Sequence, residues 1–496
     1  MFSIRKAIWR GTIVFALVFM AVGSAAAGSV TVSPLTLVSG PSPFAGCTIG
    51  GRSDGSSVVY VNSEVEPWVA VNPTNPNNII GVFQQDRWND GGAHGLVAAV
   101  SHDGGATWSR TWAHFSFCSG GTAANGGDFD RASDPWVTFS PNGDAYQISL
   151  SASADLLTSA ILVSRSGDGG DTWSEPTTLI RETSAFNFND KESITADPTN
   201  ANYVYAVWDR SRFPSDQANF NALRSFAFRG DIMFSRTTNG GASWEPARAI
   251  FHPMGLEFTI ANQIIVLPNG TLVDVFTNFK GSGINAPGVF VELMRSTDKG
   301  ATWSDPIIVE HLRTVGVTDP DTGQGVRTGD IIPDVAVDPA NGTLYVVWQD
   351  SRFSGGAHDD IAFSQSTDGG FTWSDPVKIN QTTNNAAAFT ASVEVAADGT
   401  LGVTYYDFRN NTPAAGVPSD YWIIHCHGTC TNPANWLETH VAGPFDMETA
   451  PVARGFFVGD YEGLTSAGNN FMPLFIQAYS GNTSNRTDAY FVTVGP

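Results

Sequence analysis

Acidic and arginine side chains recur together at four places in this 496-residue chain, and their chemistry suits the binding of an anion. The chain has only 26 Lys and Arg, so the recurrence of arginine at the same place in four similar segments is not expected by chance. A guanidinium matches the carboxylate or sulfate of an acidic sugar with two parallel hydrogen bonds. The alternative is a structural pair, because each arginine has its own aspartate nearby. The segments contain Asp86 and Arg87, Asp209 and Arg210, Asp350 and Arg352, and Asp407 and Arg409.

A second set of chemically active residues consists of carboxylic acids that precede or open short apolar segments. Carboxyl groups gathered in one place raise one another's pKa or bind a cation. A pair of them would suit the acid and base of glycoside hydrolysis, and several together would suit Ca²⁺. The alternative is that they bond to backbone amides at strand ends. The set is Glu66, Asp128, Asp130, Asp134, Asp190, Glu192, Asp330, Asp334, Asp460 and Glu462.

Other catalytic patterns are missing from the sequence. It contains no Ser-His-Asp motif, no phosphate-cradling glycine loop and no His-x-x-x-His zinc pattern, and its nine histidines are scattered. The formal net charge is −22. Because nucleic acid and anionic membranes repel such a surface, neither is an expected partner.

The elements that position these residues are short strands joined by tight turns. Apolar and small or polar residues alternate, and N-P, N-G or D-G stands at the turn, as in β-hairpins. Six such segments open at Glu66, Asp134, Glu192, Asn262, Pro333 and Ser392. A seventh begins at Gly459 and continues with the strand that contains Arg486 to Pro496.

Between these hairpins, one eight-residue phrase occurs in five near-copies. The copies are SHDGGATW (Ser101 to Trp108), SGDGGDTW (Ser166 to Trp173), TTNGGASW (Thr237 to Trp244), STDKGATW (Ser296 to Trp303) and STDGGFTW (Ser366 to Trp373). Their tryptophans are 59 to 71 residues apart, which indicates an array of equivalent units. We expect the Asp side chain to accept backbone N–H bonds inside a turn, glycine to supply positive φ and tryptophan to cover the turn.

The phrase resembles the Asp-box, or BNR repeat, of sialidases and related β-propellers. The resemblance implies an all-β propeller in which the phrase forms the hairpin between the two outer strands of a blade. It also implies that the box turns lie on one face. The segments after the second strands and before the first strands lie on the opposite face, around the central channel. The two residue sets above are therefore expected near the channel mouth.

The number of blades follows from adding the hairpins to the boxes. Seven four-stranded blades are predicted, the last of which lacks an outer strand of its own. The N-terminal segment that begins at Val30 resembles the segments after the boxes, so we expect it to close the ring by pairing with the C-terminal blade. Six blades with an N-terminal extension is the alternative.

The resemblance covers the site only in part. Sialidases use a Tyr assisted by a Glu, an acid Asp and three clamping Arg, and Tyr461 matches the position of the Tyr. Ala261 and Thr277 stand where the assisting Glu and one clamping Arg are expected, and the Arg-Ile-Pro motif is missing from the sequence. We therefore predict Tyr461, Glu462, Asp134 and Glu192 as catalytic residues. For substrate binding we predict Arg210, Arg352, Arg409 and Arg87.

The termini and cysteines indicate the compartment. Arg5, Lys6 and Arg10 precede an apolar run and three alanines, so residues 1–27 resemble a secretory signal peptide, with an uncleaved anchor as the alternative. Because the repeats span nearly all of the remaining chain, we expect 28–496 to form one domain. Four cysteines suit an oxidising compartment. We expect disulfides between Cys426 and Cys430 and between Cys47 and Cys118. Metal binding by Cys426, His427 and Cys430 is the alternative to the first of these.

Together these features predict a secreted, monomeric glycoside hydrolase, exo-sialidase-like if it is catalytic, that acts on an anionic glycan. No cofactor is required for such chemistry, and bound Ca²⁺ is compatible with it. The alternative is a propeller that binds a glycan or a protein without catalysis. A polysaccharide lyase is a second enzymatic option, since it would use the same arginines with Tyr or His as base.

Overall fold

The apolar alternation of the sequence forms strands throughout the chain. The computed structural model describes residues 30–213, 229–253, 257–281 and 288–496. Within these ranges the protein is all-β, and its helical turns are short 3-10 segments at Phe117–Ser119, Arg352–Ser354, Pro433–Asn435 and Met447–Thr449. In the described part of the chain, no helix has the length and apolarity needed to cross a membrane. The predicted signal peptide, residues 1–27, lies outside the described ranges.

The first half of the chain forms the first three antiparallel units, which we call units I (β3–β6), II (β7–β10) and III (β11–β14). The strands are β1 (Thr31–Val32), β2 (Thr36–Leu37), β3 (Val59–Val71), β4 (Ile79–Trp88), β5 (Ala93–Ser101), β6 (Ser109–Thr111), β7 (Arg131–Phe139), β8 (Ala145–Ala152), β9 (Ser159–Ser166), β10 (Thr177–Glu182), β11 (Asn187–Ala196), β12 (Val204–Arg212), β13 (Arg229–Thr237) and β14 (Arg248–Phe251).

The second half contains units IV (β15–β18), V (β21–β24) and VI (β25–β28), together with a terminal unit built on β30–β32. Its strands are β15 (Glu257–Val266), β16 (Leu272–Lys280), β17 (Gly288–Ser296), β18 (Ile307–His311), β19 (Val317–Thr318), β20 (Gly325–Arg327), β21 (Asp334–Val337), β22 (Leu344–Asp350), β23 (Asp360–Ser366), β24 (Val377–Lys378), β25 (Ala388–Val395), β26 (Leu401–Asp407), β27 (Pro418–Cys426), β28 (Trp436–Asp446), β29 (Phe456–Phe457), β30 (Gly463–Ala467), β31 (Asn470–Ala478), β32 (Thr487–Phe491) and β33 (Val494–Gly495).

The two chain ends meet in the terminal unit. Thr36 and Leu37 of β2 pair with Phe491 and Tyr490 of β32, so an N-terminal strand becomes the fourth strand beside β30, β31 and β32. The expected pairing of the N-terminal segment with the C-terminal strands is thus present.

The first strands of the units contact one another in a cycle. β3 contacts β7, β7 contacts β11, β11 contacts β15, β15 contacts β21, β21 contacts β25, β25 contacts β30, and β30 contacts β3. The apolar core lies between successive units. For example, Ile80 and Val82 of unit I share a cluster with Val137 of unit II. Because neighbouring units cover both faces of a sheet, apolar or small residues are found on both faces of the strands.

The five boxes occupy the hairpins between third and fourth strands. In the first copy, the Thr107 amide donates to Asp103 Oδ1 over 2.8 Å and the Trp108 indole N–H donates to the Gly105 carbonyl over 3.0 Å. The Thr107 hydroxyl also donates to Asp103 Oδ2 over 2.6 Å, and the hydroxyl and amide bonds from Thr107 lower the pKa of Asp103 to about 2. The corresponding Thr bonds lower the pKa of Asp168, Asp298 and Asp368 to about 2. The predicted role of the box as a turn is confirmed.

The cysteines pair as expected. Cys47 bonds to Cys118, and Cys426 bonds to Cys430 in the turn between β27 and β28, where unit VI lacks a box.

Candidate functional site

The site is built on β-bulges in the first strands. In units I, II, III, IV and VI the pairing of the first and second strands skips two residues. The first skipped residue has a left-handed backbone each time, with φ of 54° at Glu66, 51° at Asp134, 48° at Lys191, 67° at Ala261 and 51° at Thr390. Such a conformation costs about 1–2 kcal/mol for a residue with a Cβ. Bulges of this kind re-aim side chains next to functional sites.

Three of these bulge residues meet. Lys191 Nζ lies 2.6 Å from Asp134 Oδ1 and 3.1 Å from Glu66 Oε1. It also lies 2.9 Å from Asp460 Oδ2, which comes from the segment before β30. One ammonium therefore donates to carboxylates from three units, and all four side chains are largely buried.

A small extra sheet brings arginines to this cluster. Strands β19, β20 and β29 pair outside the four-stranded units, with Val326 beside Phe456 and Arg327 beside Phe457. Arg327 Nε donates to Asp460 Oδ1 over 2.8 Å, and its Nη2 bonds to the other oxygen. The guanidinium carbons of Arg327 and Arg87 lie 4.3 and 4.9 Å from the Phe457 ring centre, so this buried ring orients both cations.

Burial and neighbouring charges shift the pKa values of the carboxyl groups here in opposite directions. Desolvation raises the pKa of Glu66 to about 7, against the opposing effect of Lys191. Desolvation, followed by the charge of Asp134, raises the pKa of Asp190 to about 6. The pKa of Asp460 is held well below its usual value, because the charges and hydrogen bonds of Arg327 and Lys191 outweigh its desolvation. Glu66 and Asp190 thus bind protons near neutral pH, whereas Asp460 stays ionised.

A cavity of about 800 Å³ opens beside the cluster. Among the described residues, both positively and negatively charged side chains line this cavity. The cations are Arg52, Arg87, Arg131, Lys191, Arg327 and Arg454, and the acids are Asp90, Asp134, Asp190, Asp330 and Asp460. Six of the chain's 26 Lys and Arg thus line one cavity of a protein whose net charge is −22. The cavity is therefore far richer in positive charge than the molecule as a whole.

Several of the remaining lining residues are apolar. It includes Leu150, Phe188, Phe258, Ile260 and Phe279, which belong to units II, III and IV. A largely apolar wall with a few convergent polar groups is the usual composition of a small-molecule site.

Tyr461, predicted as catalytic, lies in an aromatic cluster away from the lining of this cavity. Its ring centre is 5.8 Å from that of Trp136, which stacks on Trp68 at 3.5 Å. Its hydroxyl donates to the Pro135 carbonyl over 3.4 Å, and desolvation raises its pKa well above the ordinary value. Lys191 Nζ lies 5.4 Å from the ring centre, so Tyr461 supports the lysine through its face. Its catalytic role stays a prediction.

The other predicted catalytic residues lie in different places in the structure. Asp134 lines the cavity and bonds to Lys191. Glu192 and Glu462 are buried, and desolvation raises the pKa of both well above the ordinary value. Glu462 faces the hydroxyls of Tyr406 and Tyr421 and, together with Tyr461, borders a separate small void.

Among the predicted substrate-binding arginines, Arg87 lines the cavity and the other three form ion pairs. Arg210 Nη2 lies 2.6 Å from Glu182 of the preceding unit. Arg352 Nε is 2.9 Å from Asp350, and Arg409 Nε is 2.6 Å from Asp407. This arrangement corresponds to the structural alternative, in which the recurring arginines pair with carboxylates within or between units.

Five of the six cations in the cavity were not predicted from the sequence, namely Arg52, Arg131, Lys191, Arg327 and Arg454. Arg131 and Lys191 each adjoin a residue of the acidic set, and Arg327 precedes Asp330 by three residues. A position in or near that set was the available signal for these three. Arg52 and Arg454 lie away from that set in the sequence, so no such signal marked them.

Within the described ranges, no group of three or more His, Cys, Asp or Glu side chains is arranged to hold a metal ion. The carboxylates of the cluster are bonded to Lys191 and Arg327 instead. A calcium site stays a prediction of the sequence.

The sequence matches no protein-family model and no curated protein. The structure is similar to that of an α-L-arabinanase from Penicillium chrysogenum in complex with arabinobiose, with a TM-score of 0.47, 15% identity and coverage of 76% of this chain and 94% of that one. It is also similar to a leech intramolecular trans-sialidase, with a TM-score of 0.46, 12% identity and coverage of 88% and 93%. A Trypanosoma rangeli sialidase gives a TM-score of 0.42 at 14% identity, with coverage of 73% and 53%. The expected resemblance to sialidases is thus confirmed as a structural similarity at low sequence identity.

Proposed function

We propose that this protein is a secreted β-propeller of seven blades that hydrolyses a glycosidic bond in an anionic glycan. The cycle of contacts through β3, β7, β11, β15, β21, β25 and β30 supports the blade number. The pairing of β2 with β32 supports closure of the ring by the two chain ends. A single propeller domain over 28–496 is part of the same proposal.

The observation that carries the activity is the composition of the cavity. Six cations and five acids line it, and the acids include Asp134 and Asp190. Cations attract and orient an acidic sugar, and two carboxyl groups are the usual machinery of glycoside hydrolysis.

The roles of the two carboxyl groups follow from their surroundings. Asp190, with its pKa raised to about 6, holds a proton for part of the time near neutral pH and acts as the general acid. Asp134 accepts a hydrogen bond from Lys191 and acts as the negatively charged partner, which stabilises positive charge on the sugar or activates water. A pair of carboxyl groups with distinct surroundings is a recurring solution to acid and base chemistry at one pH.

The test is hydrolysis of 4-methylumbelliferyl glycosides. A panel of sialoside, β-glucuronide, α-arabinofuranoside and β-glucoside is compared between wild type and Asp190→Asn. We expect cleavage of an acidic glycoside and a loss of about 10²-fold or more in the variant. Asp144→Asn is the matched control, because Asp144 pairs with Arg165 on the exterior over 2.8 Å. Equal activity of Asp190→Asn and wild type would remove Asp190 from the mechanism.

A second candidate function, glycan binding without catalysis, is favoured by the neutralised state of the cluster. Lys191 bonds to Glu66, Asp134 and Asp460, and Arg327 also bonds to Asp460, so these carboxylates are committed to structural partners. Binding of acidic sugars together with no cleavage of any glycoside in the panel would support this candidate over the hydrolase.

Secretion is proposed from residues 1–27 and is tested separately. Expression of the full chain followed by N-terminal sequencing of the protein in the medium should show a start near residue 28. A protein that keeps its N-terminus in the cell fraction would contradict the proposal.

A further inference from the structure

Arg454 differs from the other cations of the cavity in having no carboxylate partner among the described residues. Lys191 has three carboxylate partners, Arg327 bonds to Asp460, and Arg131 Nη1 lies 2.8 Å from Asp90. Arg87 lies 4.0 Å from Glu66, and Arg52 lies 3.9 Å from Asp90. Among the described residues, no carboxylate lies within 4.0 Å of Arg454, although the residue is exposed and lines the cavity.

The backbone holds Arg454 at the tip of a tight turn. Val452 and Phe456 form an isolated antiparallel bridge, and the Ala453 amide donates to the Gly455 carbonyl over 2.8 Å. Arg454 itself has a φ of 68°, in the left-handed region that favours glycine. Residues other than glycine that are held in this conformation are found preferentially at functional sites.

The packing of the extra sheet fixes this turn. A Cβ at Gly455 would lie 2.7 Å from the Gly325 carbonyl oxygen and 3.0 Å from the Arg327 amide nitrogen. Gly455 therefore allows β29 to approach β20 closely enough to pair. Because Arg327 is on β20 and Arg454 directly precedes Gly455, the same contact brings both arginines to the cavity.

The two arginines repel each other. The charge of Arg327 is the largest cause of a lowered pKa at Arg454. An anion bound beside Arg454 would relieve this repulsion, and a guanidinium in a partly desolvated site binds a carboxylate or sulfate more strongly than one in water.

We infer that Arg454 is the anchoring residue for the acidic group of the ligand, with a carboxylate or a sulfate on a sugar as the group it binds. This inference rests on the proposed function, because it takes the same cavity as the sugar site. It assigns selection of the acidic ligand to the extra sheet, which stands apart from the repeated units and their recurring arginines.

The test measures binding by titration calorimetry and does not require cleavage. The probes are methyl β-D-glucuronide, methyl β-D-glucoside 6-sulfate and neutral methyl β-D-glucoside. We expect the wild-type protein to bind at least one acidic probe about tenfold or more tightly than the neutral one. Whichever acidic probe is preferred identifies the group as carboxylate or sulfate.

Two variants and one control separate the role of Arg454 from folding. Arg454→Gln should abolish the preference for the acidic probe and leave binding of the neutral probe unchanged, while Arg454→Lys should keep part of the preference. Arg165→Gln, which removes an exterior cation paired with Asp144, should behave as wild type. A thermal unfolding midpoint for Arg454→Gln close to that of wild type would show that the fold is intact.

The outcomes distinguish this inference from the proposed hydrolysis. An equal acidic preference in Arg454→Gln and wild type, or no preference in wild type, would overturn the anchoring role even if glycosides are cleaved. Loss of the preference in Arg454→Gln, in a protein that cleaves no glycoside, would support the anchoring role while the hydrolase proposal fails.

Discussion

Lys191 Nζ lies 2.6 Å from Asp134 Oδ1, although the two residues are 57 positions apart in the sequence. They occupy the same place in neighbouring units, the left-handed first residue of a bulge in β11 and in β7. The bulges turn both side chains toward each other across the cycle of first strands. The same local distortion, repeated from unit to unit, therefore assembles the cluster from residues that are distant along the chain.

Replacing Lys191 by methionine should destabilise the protein strongly. The substitution leaves Glu66, Asp134 and Asp460 buried beside one another without their common ammonium. Removing one partner of a buried ion pair typically costs about 3–5 kcal/mol. Urea unfolding at pH 7 measures the change.

The matched control for Lys191→Met is Arg165→Met. Arg165 Nη2 lies 2.8 Å from Asp144, but 44% of the arginine side chain is exposed. Loss of such a pair should cost at most about 1 kcal/mol. Similar losses of unfolding free energy in the two variants would show that the buried ion pairs of Lys191 stabilise the protein no more than an exposed pair does.

Glu66 should make stability depend on pH. Its pKa is raised from 4.5 to about 7 in the folded protein, so between these pH values the folded state binds a proton that the unfolded chain has released. The contribution of Glu66 is therefore fully present below about pH 4.5 and is lost as the pH rises through about 7, by about 3 kcal/mol in total. In Glu66→Gln the free energy of unfolding should fall less steeply over this window.

The measurement for Glu66→Gln is urea unfolding at pH values from about 4 to 8. Glu175→Gln is the control, because Glu175 is an exposed carboxylate beside His114. A variant that keeps the full pH dependence of wild type would show that Glu66 does not titrate in this range.

The box turns should tolerate an amide but not a methyl group. Asp298 accepts hydrogen bonds from the Thr302 amide over 2.8 Å and from the Thr302 hydroxyl over 2.6 Å. In the third box, Asn239 accepts the corresponding amide bond from Ser243 over 3.0 Å. Asp298→Asn should therefore leave the thermal midpoint nearly unchanged, and Asp298→Ala should lose about 1 kcal/mol. Equal midpoints for the two variants would contradict this role of the side chain.

Much of the fold could be predicted from the sequence because the signals are local. The box turn, the hairpin turns and the strand alternation each depend on a few consecutive residues. The Gly270 turn is an example, in which Gly270 has a φ of 81° and donates its amide to Leu267 over 2.7 Å. The pairing of β2 with β32 was also accessible, since the N-terminal segment resembles the strands after the boxes.

The site could be predicted only in part because its composition depends on contacts between units. Asp134 and Arg87 are predictable from the sequence but Lys191 is not, since nothing in the sequence shows that a bulge places this lysine opposite three carboxylates. Arg454 comes from a turn that packs against β20, and no repeat marks that turn. Arg210, Arg352 and Arg409 recur for the opposite reason, because each pairs with a carboxylate within or next to its own unit.

At Tyr461 the role expected from the sequence and the surroundings seen in the structure lead to different expectations. A sialidase-type nucleophile would lose about 10²-fold or more of its activity without the hydroxyl group. In the structure this hydroxyl is buried and donates to the Pro135 carbonyl over 3.4 Å, a long hydrogen bond. We therefore expect Tyr461→Phe to retain most of its activity against the acidic glycoside and to lose about 1 kcal/mol of stability.

The control for Tyr461→Phe is Tyr406→Phe, because Tyr406 is another buried tyrosine that donates to a backbone carbonyl, that of Ile476 over 2.6 Å. Both variants lose a buried hydroxyl, so a general packing defect should lower stability and activity alike in the two. A loss of activity about 10²-fold larger in Tyr461→Phe than in Tyr406→Phe would restore the sialidase-like role of Tyr461. Retention of activity in both, with loss in Asp190→Asn, would place the chemistry on the carboxyl groups that line the cavity, because these would then be the groups on which hydrolysis depends.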